Sequence, residues 1–148
     1  MAAKLNASRV RALALLGCLL FGGGYASGAD AASLYERMGG QPTVQAIADD
    51  VIDDAASDPK LKRSFAKVGL VRVKRLLAEQ ICEVTGGGCQ YTGDSMHDVH
   101  AGLGITEAEF YGLVEVLRTS MRRHGVGLRE RNELLRILAP MKRDVVER

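Results

Sequence analysis

Along most of the chain from Ser33 onward, hydrophobic residues recur at intervals of three and four, and few stretches show the alternation typical of a strand. One stretch places its apolar residues on a single helical face, namely Val44, Ile47, Ala48, Val51, Ile52 and Ala55. A longer helix, predicted at about residues 70–84, has an equivalent inner face of Leu70, Val73, Leu77, Ile81 and Val84. The pattern therefore predicts a compact all-α domain.

Local signals mark where the predicted helices begin and end. Residues 33–36 (SLYE) and 106–109 (TEAE) are capping boxes, in which a hydroxyl and a carboxylate satisfy the first free amides of a helix. The helix that follows the second box has an inner face of Phe110, Leu113, Val114, Leu117 and Met121. The last helix is predicted over residues 129–146, with a kink or break at Pro140.

Between the glycines at 86–88 and the second capping box, the pattern predicts an unusually short helix. Its apolar side carries Met96, Val99, His100 and Leu103, and Gly102 and Gly104 end it. A helix this short is not stabilised by its own hydrogen bonds. We therefore expect another group to pack on the side that carries His100.

His100 has several chemical interpretations. A histidine on an apolar helix face is compatible with a hydrogen-bonded core residue as well as with a metal ligand. A zinc site built on His97 and His100 would need two more ligands, for which Cys82 and Cys89 are available at a spacing that matches no familiar zinc pattern. His97 itself leans toward the polar side of the helix. Haem is the third possibility, because it needs one imidazole and an apolar slot.

The chain supplies apolar residues for both sides of such a slot. The residues predicted on the same side as His100 are Met96, Leu103, Ile105 and Phe110. The residues predicted to cover the opposite side are Ile52, Phe65, Val73, Leu77 and Ile81. No C-x-x-C-H motif occurs, so covalent attachment of a c-type haem is not indicated.

Several short motifs occur in a specific order along residues 33–146. They are Ser33-Leu34-Tyr35-Glu36 with Gly39-Gly40, Asp58-Pro59 before Phe65, Gly86-Gly87, Tyr91-Thr92-Gly93, Met96, and the run from His100 to Thr106. In this arrangement the sequence resembles a group I truncated haemoglobin. The resemblance implies a two-over-two helical sandwich that holds haem b, with His100 as the proximal iron ligand and Phe65 stacked on the haem.

The side opposite His100 departs from the pattern of that family. Its members usually place a tyrosine where this chain has Ile52, and often a glutamine where it has Leu77. Together with Val73, these residues predict an apolar distal pocket. Gln80 lies one turn further along and would reach inward only if the register shifted. Arg72, Lys74 and His97 are candidate partners for the haem propionates.

The resemblance implies reversible binding of oxygen, nitric oxide or carbon monoxide at a five-coordinate iron. The alternative is a haem enzyme that removes nitric oxide or peroxide, either a nitric oxide dioxygenase or a pseudo-peroxidase. Such an enzyme would need an electron donor, which the sequence does not identify. A third, haem-independent interpretation is a helical interaction module in which the glycines only form turns.

The first 31 residues have the pattern of an export signal. Lys4, Arg9 and Arg11 precede an apolar run at 12–21 that is too short to span a bilayer, and Ala29-Asp30-Ala31 forms an A-x-A cleavage site. We therefore expect a cleaved signal peptide at 1–31, a globin domain at 32–148 and a periplasmic or secreted mature protein without a stable membrane span. Lipid anchoring at Cys18 is a less favoured alternative.

The charge balance and the two remaining cysteines bear on the partners and the covalent bonds of the mature chain. Removing residues 1–31 takes away three of the 20 basic residues and one of the 18 acidic ones, which leaves equal numbers of each. This balance argues against a nucleic-acid partner, which requires a basic surface. Cys82 and Cys89 remain, either as a disulfide across a helix end or as two free thiols.

Overall fold

A computed structural model describes residues 32–147, and these residues form helices and turns without any strand. The α-helices are α1 (Leu34–Arg37), α2 (Gly40–Ser57), α3 (Leu70–Val84), α4 (Met96–His100), α5 (Glu107–Arg123), α6 (Leu128–Leu138) and α7 (Lys142–Val145). Two 3-10 turns, Lys62–Phe65 and Ala139–Met141, complete the chain's regular structure over this range. The all-α prediction is confirmed, whereas the predicted signal peptide, its cleavage site and Cys18 lie outside the described residues.

Helix α2 is the central element because both α3 and α5 pack against it. Its six predicted inward residues are all buried: Val44, Ile47, Ala48, Val51, Ile52 and Ala55. Ile81 of α3, Met121 of α5 and Leu134 of α6 are completely enclosed and join the same core. Each large apolar side chain buried in this way stabilises the fold by about 1.5–3 kcal/mol.

The predicted helix boundaries follow the local signals. In the first capping box, the Ser33 hydroxyl accepts the Glu36 amide and the Glu36 carboxylate accepts the Ser33 amide, and the box at Thr106 and Glu109 has the same two bonds. The predicted last helix is interrupted at Pro140, where the 3-10 turn separates α6 from α7. Proline has no amide hydrogen to continue the helical bonding, which explains the break.

The glycine cluster after α3 is a place of close approach. A Cβ atom on Gly87 would lie 2.5 Å from the Cys82 sulfur and 2.7 Å from the Tyr35 ring. Only glycine allows the chain to pass here. Of the two interpretations of the cysteines, the structure has the disulfide, which joins Cys82 to Cys89 with a Cα–Cα distance of 5.7 Å.

Within residues 32–147, no helix combines the length and the apolar character that crossing a membrane requires.

Candidate functional site

The short helix α4 is fixed at both ends by local interactions. The Ser95 hydroxyl accepts the amide of Asp98 at 3.1 Å and donates to the Asp98 carboxylate at 2.7 Å, so it caps the first turn. The chain leaves the helix at Ala101, and Gly102 and Gly104 then take positive φ angles of 76° and 59°. These left-handed residues turn the chain sharply after His100, as the sequence predicted.

His100 is half-buried at the end of α4, and its ring orientation is defined. The imidazole Nδ1 lies 2.7 Å from the carbonyl oxygen of Met96, one turn earlier. A carbonyl oxygen can only accept, so Nδ1 carries the hydrogen, and in the neutral imidazole Nε2 then carries the lone pair. Histidines that ligate metals characteristically donate the other ring N–H in this manner. The imidazole is therefore in the form needed to bind a metal through Nε2.

His97 and the cysteines do not complete a zinc site with His100. His97 lies on the exposed side of α4, where its Nδ1 is 3.2 Å from the Asp98 carboxylate. The disulfide removes both thiolates. Within residues 32–147, no group of three or more His, Cys, Asp or Glu side chains could hold a metal ion.

Helix α3 faces α4 through Gln80. The Gln80 amide nitrogen lies 3.2 Å from the Met96 sulfur and 3.6 Å from the Met141 sulfur. Val73 and Leu77 precede Gln80 by seven and three residues, so all three share one face of α3. Met96 and His100 are one turn apart, so Gln80 contacts the side of α4 that carries the histidine.

The sequence predicts that Gln80 reaches inward only if the register shifts. In the structure its amide nitrogen contacts the sulfurs of Met96 and Met141. The donor-free distal pocket of Ile52, Val73 and Leu77 stays a prediction.

The five residues predicted for the far side of the slot belong to one hydrophobic cluster. Ile52 and Ile81 are buried in it, and Phe65, Val73 and Leu77 pack against it while remaining partly exposed. On the histidine side, Ile105 is buried and Met96 and Phe110 are partly buried, whereas Leu103 is 37% exposed. The structure thus provides partly exposed apolar side chains on α3 and the 3-10 turn of Phe65, together with a metal-competent imidazole on α4. These features fit haem, a flat, largely apolar ring whose iron takes an imidazole ligand.

Two of the three propionate candidates already have carboxylate partners. The Lys74 ammonium is 2.7 Å from Asp53, and His97 contacts Asp98. Arg72 is exposed on α3. Among these candidates, Arg72 is the one for which no carboxylate partner appears within the described region.

Two carboxylates of α3 hold the segment that leads to α4. The Glu83 carboxylate accepts the Tyr91 amide at 3.1 Å, and Glu79 accepts the amide and the hydroxyl of Thr92 at 3.1 and 2.7 Å. The bond from the Thr92 hydroxyl is the main reason that the pKa of Glu79 lies below its usual value. The Tyr91-Thr92-Gly93 motif thus joins α3 to the helix of His100.

Sequence reasoning did not find the residues that hold the chain just after His100. Arg63 donates to two carbonyl groups of this loop, and Glu147 accepts two of its amides. Both are charged side chains at ordinary surface positions in the sequence pattern. No local signal connects them with the histidine.

Comparison with known proteins agrees with this site. The family model described as bacterial-like globin matches residues 33–147. The chain therefore belongs to the bacterial-like globin family, and its resemblance to group I truncated haemoglobins is confirmed.

Relatives of this kind align over most of their length. The group 1 truncated haemoglobin GlbN of Nostoc commune is 28% identical over 110 residues, which cover 74% of this chain and 93% of the relative. The GlbN protein of Mycolicibacterium paratuberculosis is 28% identical over 117 residues, which cover 79% and 86% respectively.

Solved structures show the same fold. The ferric truncated haemoglobin of Tetrahymena pyriformis superposes with a TM-score of 0.75 at 20% identity, covering 79% of this chain and 100% of that one. The 2/2 haemoglobin of Synechococcus sp. PCC 7002, in the cyanomet state with covalently attached haem, gives 0.73 at 24% identity with the same coverage. The predicted two-over-two globin fold is confirmed, and membership of this family implies haem-based gas binding.

Proposed function

We propose that this protein holds haem b through Nε2 of His100 and binds oxygen, nitric oxide or carbon monoxide at a five-coordinate iron. The observation that carries the proposal is the bond from Nδ1 of His100 to the Met96 carbonyl, which in the neutral imidazole leaves the lone pair on Nε2. Haem would supply an iron with one position open to a diatomic gas. The affinity for each gas depends on the hydrogen bonds that the surrounding side chains can make to it.

The side chains that we propose to lie opposite His100 are apolar, and this limits the hydrogen bonds that a bound gas can receive. Ile52, Val73 and Leu77 carry no hydrogen-bond donor, so a gas that becomes polar on binding gains no stabilisation from them. A donor in a pocket of low dielectric constant is worth on the order of 1–3 kcal/mol. Its absence corresponds to an oxygen affinity roughly ten- to a hundredfold weaker than in a pocket with a donor. Carbon monoxide, which is much less polar when bound, is affected less.

Enzymatic removal of nitric oxide or peroxide is the alternative function. A dioxygenase requires a long-lived oxygen complex together with an electron donor, and a peroxidase requires a proton-transferring group near the reacting oxygen. Ile52, Val73 and Leu77 supply neither a donor nor a base. The distal residues therefore favour gas binding over both enzymatic roles.

We also propose that the mature protein acts in the periplasm or outside the cell. The export pattern of residues 1–31 supports this location, and so does the disulfide between Cys82 and Cys89, because disulfides persist in oxidising compartments. The charge balance of residues 32–148 gives no support for a nucleic-acid partner. Cell fractionation with an antibody to the globin domain tests the location.

Haem titration of three matched proteins tests the role of His100. The wild type and His97→Ala should take up one haem per chain and give the same Soret band, because His97 is on the exposed side of α4. His100→Ala should lose the band or shift it, and added imidazole should restore a five- or six-coordinate spectrum. An unchanged spectrum in His100→Ala would show that another residue binds the iron.

A further inference from the structure

Residues 101–105, which we call the post-histidine loop, begin directly after His100. The loop turns back at once, because the Leu103 amide donates to the His100 carbonyl at 3.1 Å. The helix that precedes it, α4, has five residues and cannot hold a fixed position by itself. The contacts made by this loop therefore affect where the histidine lies.

Arg63 binds two carbonyl groups of the loop. The Arg63 guanidinium donates from Nη1 to the Leu103 oxygen at 3.0 Å and from Nη2 to the Gly104 oxygen at 2.8 Å. Arg63 belongs to the 3-10 turn Lys62–Phe65, which also carries Phe65. One guanidinium thus connects the turn that bears Phe65 with the loop that follows His100.

Glu147 binds two amides of the same loop. The Glu147 carboxylate accepts the Gly102 amide with one oxygen and the Gly104 amide with the other. The Glu147 amide donates to the Ile105 carbonyl at 3.0 Å. The end of the chain is therefore bonded to the loop at three points. Hydrogen bonds that involve a charged group are about twice as strong as neutral ones.

Arg63 is itself held in place by the capping residue of α5. Its Nη2 donates to the Glu109 carboxylate at 2.6 Å, and its Nε donates to the other carboxylate oxygen. This bidentate pairing fixes the plane of the guanidinium, so its remaining N–H groups point in a defined direction. Glu109 also accepts the Thr106 amide at 2.9 Å, which ties the arrangement to the start of α5.

We propose that Arg63 and Glu147 are positioning residues, which fix the post-histidine loop from its carbonyl and amide sides and thereby set the direction of the His100 imidazole. The proposal rests on the proposed role of His100 as the iron ligand. It extends that role by assigning a function to a residue beside Phe65 and to one at the end of the chain. Neither is part of the apolar slot.

We call Arg63 and Glu147 together the clamp. The variants Arg63→Gln and Glu147→Ala remove one side of it each. Arg123→Gln is the control for the first, because Arg123 also bonds two carboxylates, those of Asp50 and Asp54, between α2 and α5. Glu133→Ala is the control for the second, because Glu133 pairs with Arg37 elsewhere on the surface. The controls remove comparable ion pairs without touching the loop.

Amide hydrogen exchange of the haem-free proteins gives the first readout. The Leu103 amide is informative because it donates to His100 and not to either clamp residue. Its exchange should accelerate about tenfold or more in both clamp variants and remain unchanged in the controls. Equal exchange in clamp and control variants would overturn the proposal.

The iron–histidine stretching band of the ferrous haem protein gives the second readout. It should shift or broaden in Arg63→Gln and Glu147→Ala, because it reports the orientation of the imidazole rather than overall stability. A faster Leu103 amide with an unmoved band would show that the loop does not orient the histidine, which also overturns the proposal. A wild type that binds no haem would defeat the proposed function by itself, while the exchange data still decide whether the clamp holds the loop.

Discussion

The Nδ1 atom of His100 donates to the carbonyl oxygen of Met96 at 2.7 Å, and the side chain of the same Met96 contacts Gln80 on the facing helix α3. Met96 therefore has two roles. Its backbone accepts the imidazole N–H of the histidine, and its sulfur contacts helix α3. This one residue connects α4 with the helix that we propose covers the other side of the haem.

The tautomer of His100 can be measured directly in the haem-free protein. We expect nitrogen-15 NMR at a pH where the imidazole is neutral to show Nδ1 protonated and Nε2 unprotonated, because a carbonyl can only accept. His97, whose Nδ1 contacts a carboxylate on the exposed side, serves as the internal comparison. Observation of the opposite tautomer at His100 would remove the main support for metal binding through Nε2.

Introducing a hydrogen-bond donor at Leu77 should change the affinity for oxygen more than the affinity for carbon monoxide. Leu77→Gln places an amide on the α3 face that we propose covers the gas-binding side of the haem. We expect oxygen to dissociate roughly ten- to a hundredfold more slowly, which corresponds to about 1–3 kcal/mol, with a much smaller effect on carbon monoxide.

The matched control for this substitution is Val71→Gln on the same helix, because Val71 is 84% exposed. Stopped-flow displacement of oxygen by carbon monoxide gives both rates. Equal effects of the two substitutions, or an effect of the same size on both gases, would contradict the assignment of Leu77 to the gas pocket.

The disulfide should contribute measurably to stability. It closes a loop with a sequence separation of 7 residues, which corresponds to about 2–3 kcal/mol of reduced entropy in the unfolded chain. The double variant Cys82→Ser, Cys89→Ser should lower the free energy of urea unfolding by that amount. Adding reductant to the wild type should lower it similarly, and should have no effect on the variant. Equal stability with and without reductant would indicate that the thiols are not bonded.

Acid should weaken the clamp through Glu109. The hydrogen bond from Arg63, followed by that from the Thr106 amide, lowers the pKa of Glu109 from its usual 4.5 to about 2. A carboxylate with a lowered folded-state pKa stabilises the fold above its unfolded pKa, and this contribution is lost as the pH falls from about 4.5 toward 2. Wild type should therefore lose more stability than Glu109→Gln between pH 5 and pH 2.5, as measured by urea midpoints. Parallel pH profiles of the two proteins would contradict this assignment.

The helices were predictable because their determinants are local. Periodicity identified the buried face of α2, and the hydroxyl–carboxylate pair of Ser33 and Glu36 marked the start of α1. Pro140 marked the break in the last helix for an equally local reason. Phe65 and His100 were assigned their roles through the family resemblance, since an isolated apolar stripe with one histidine has several interpretations.

The rest of the site depends on contacts between distant parts of the chain. Arg63 and Glu147 reach the post-histidine loop across 40 to 45 residues, and nothing in the sequence around them distinguishes them from solvated surface charges.

The absorption spectrum of the purified wild type in its ferric, ferrous and carbonmonoxy forms tests the central claim most directly. We predict one haem per chain, a ferrous form with the broad visible band of a five-coordinate high-spin iron, and a sharp Soret band on addition of carbon monoxide. A protein that binds no haem would contradict the account of His100, and a low-spin six-coordinate ferrous spectrum would contradict the open apolar pocket formed by Ile52, Val73 and Leu77.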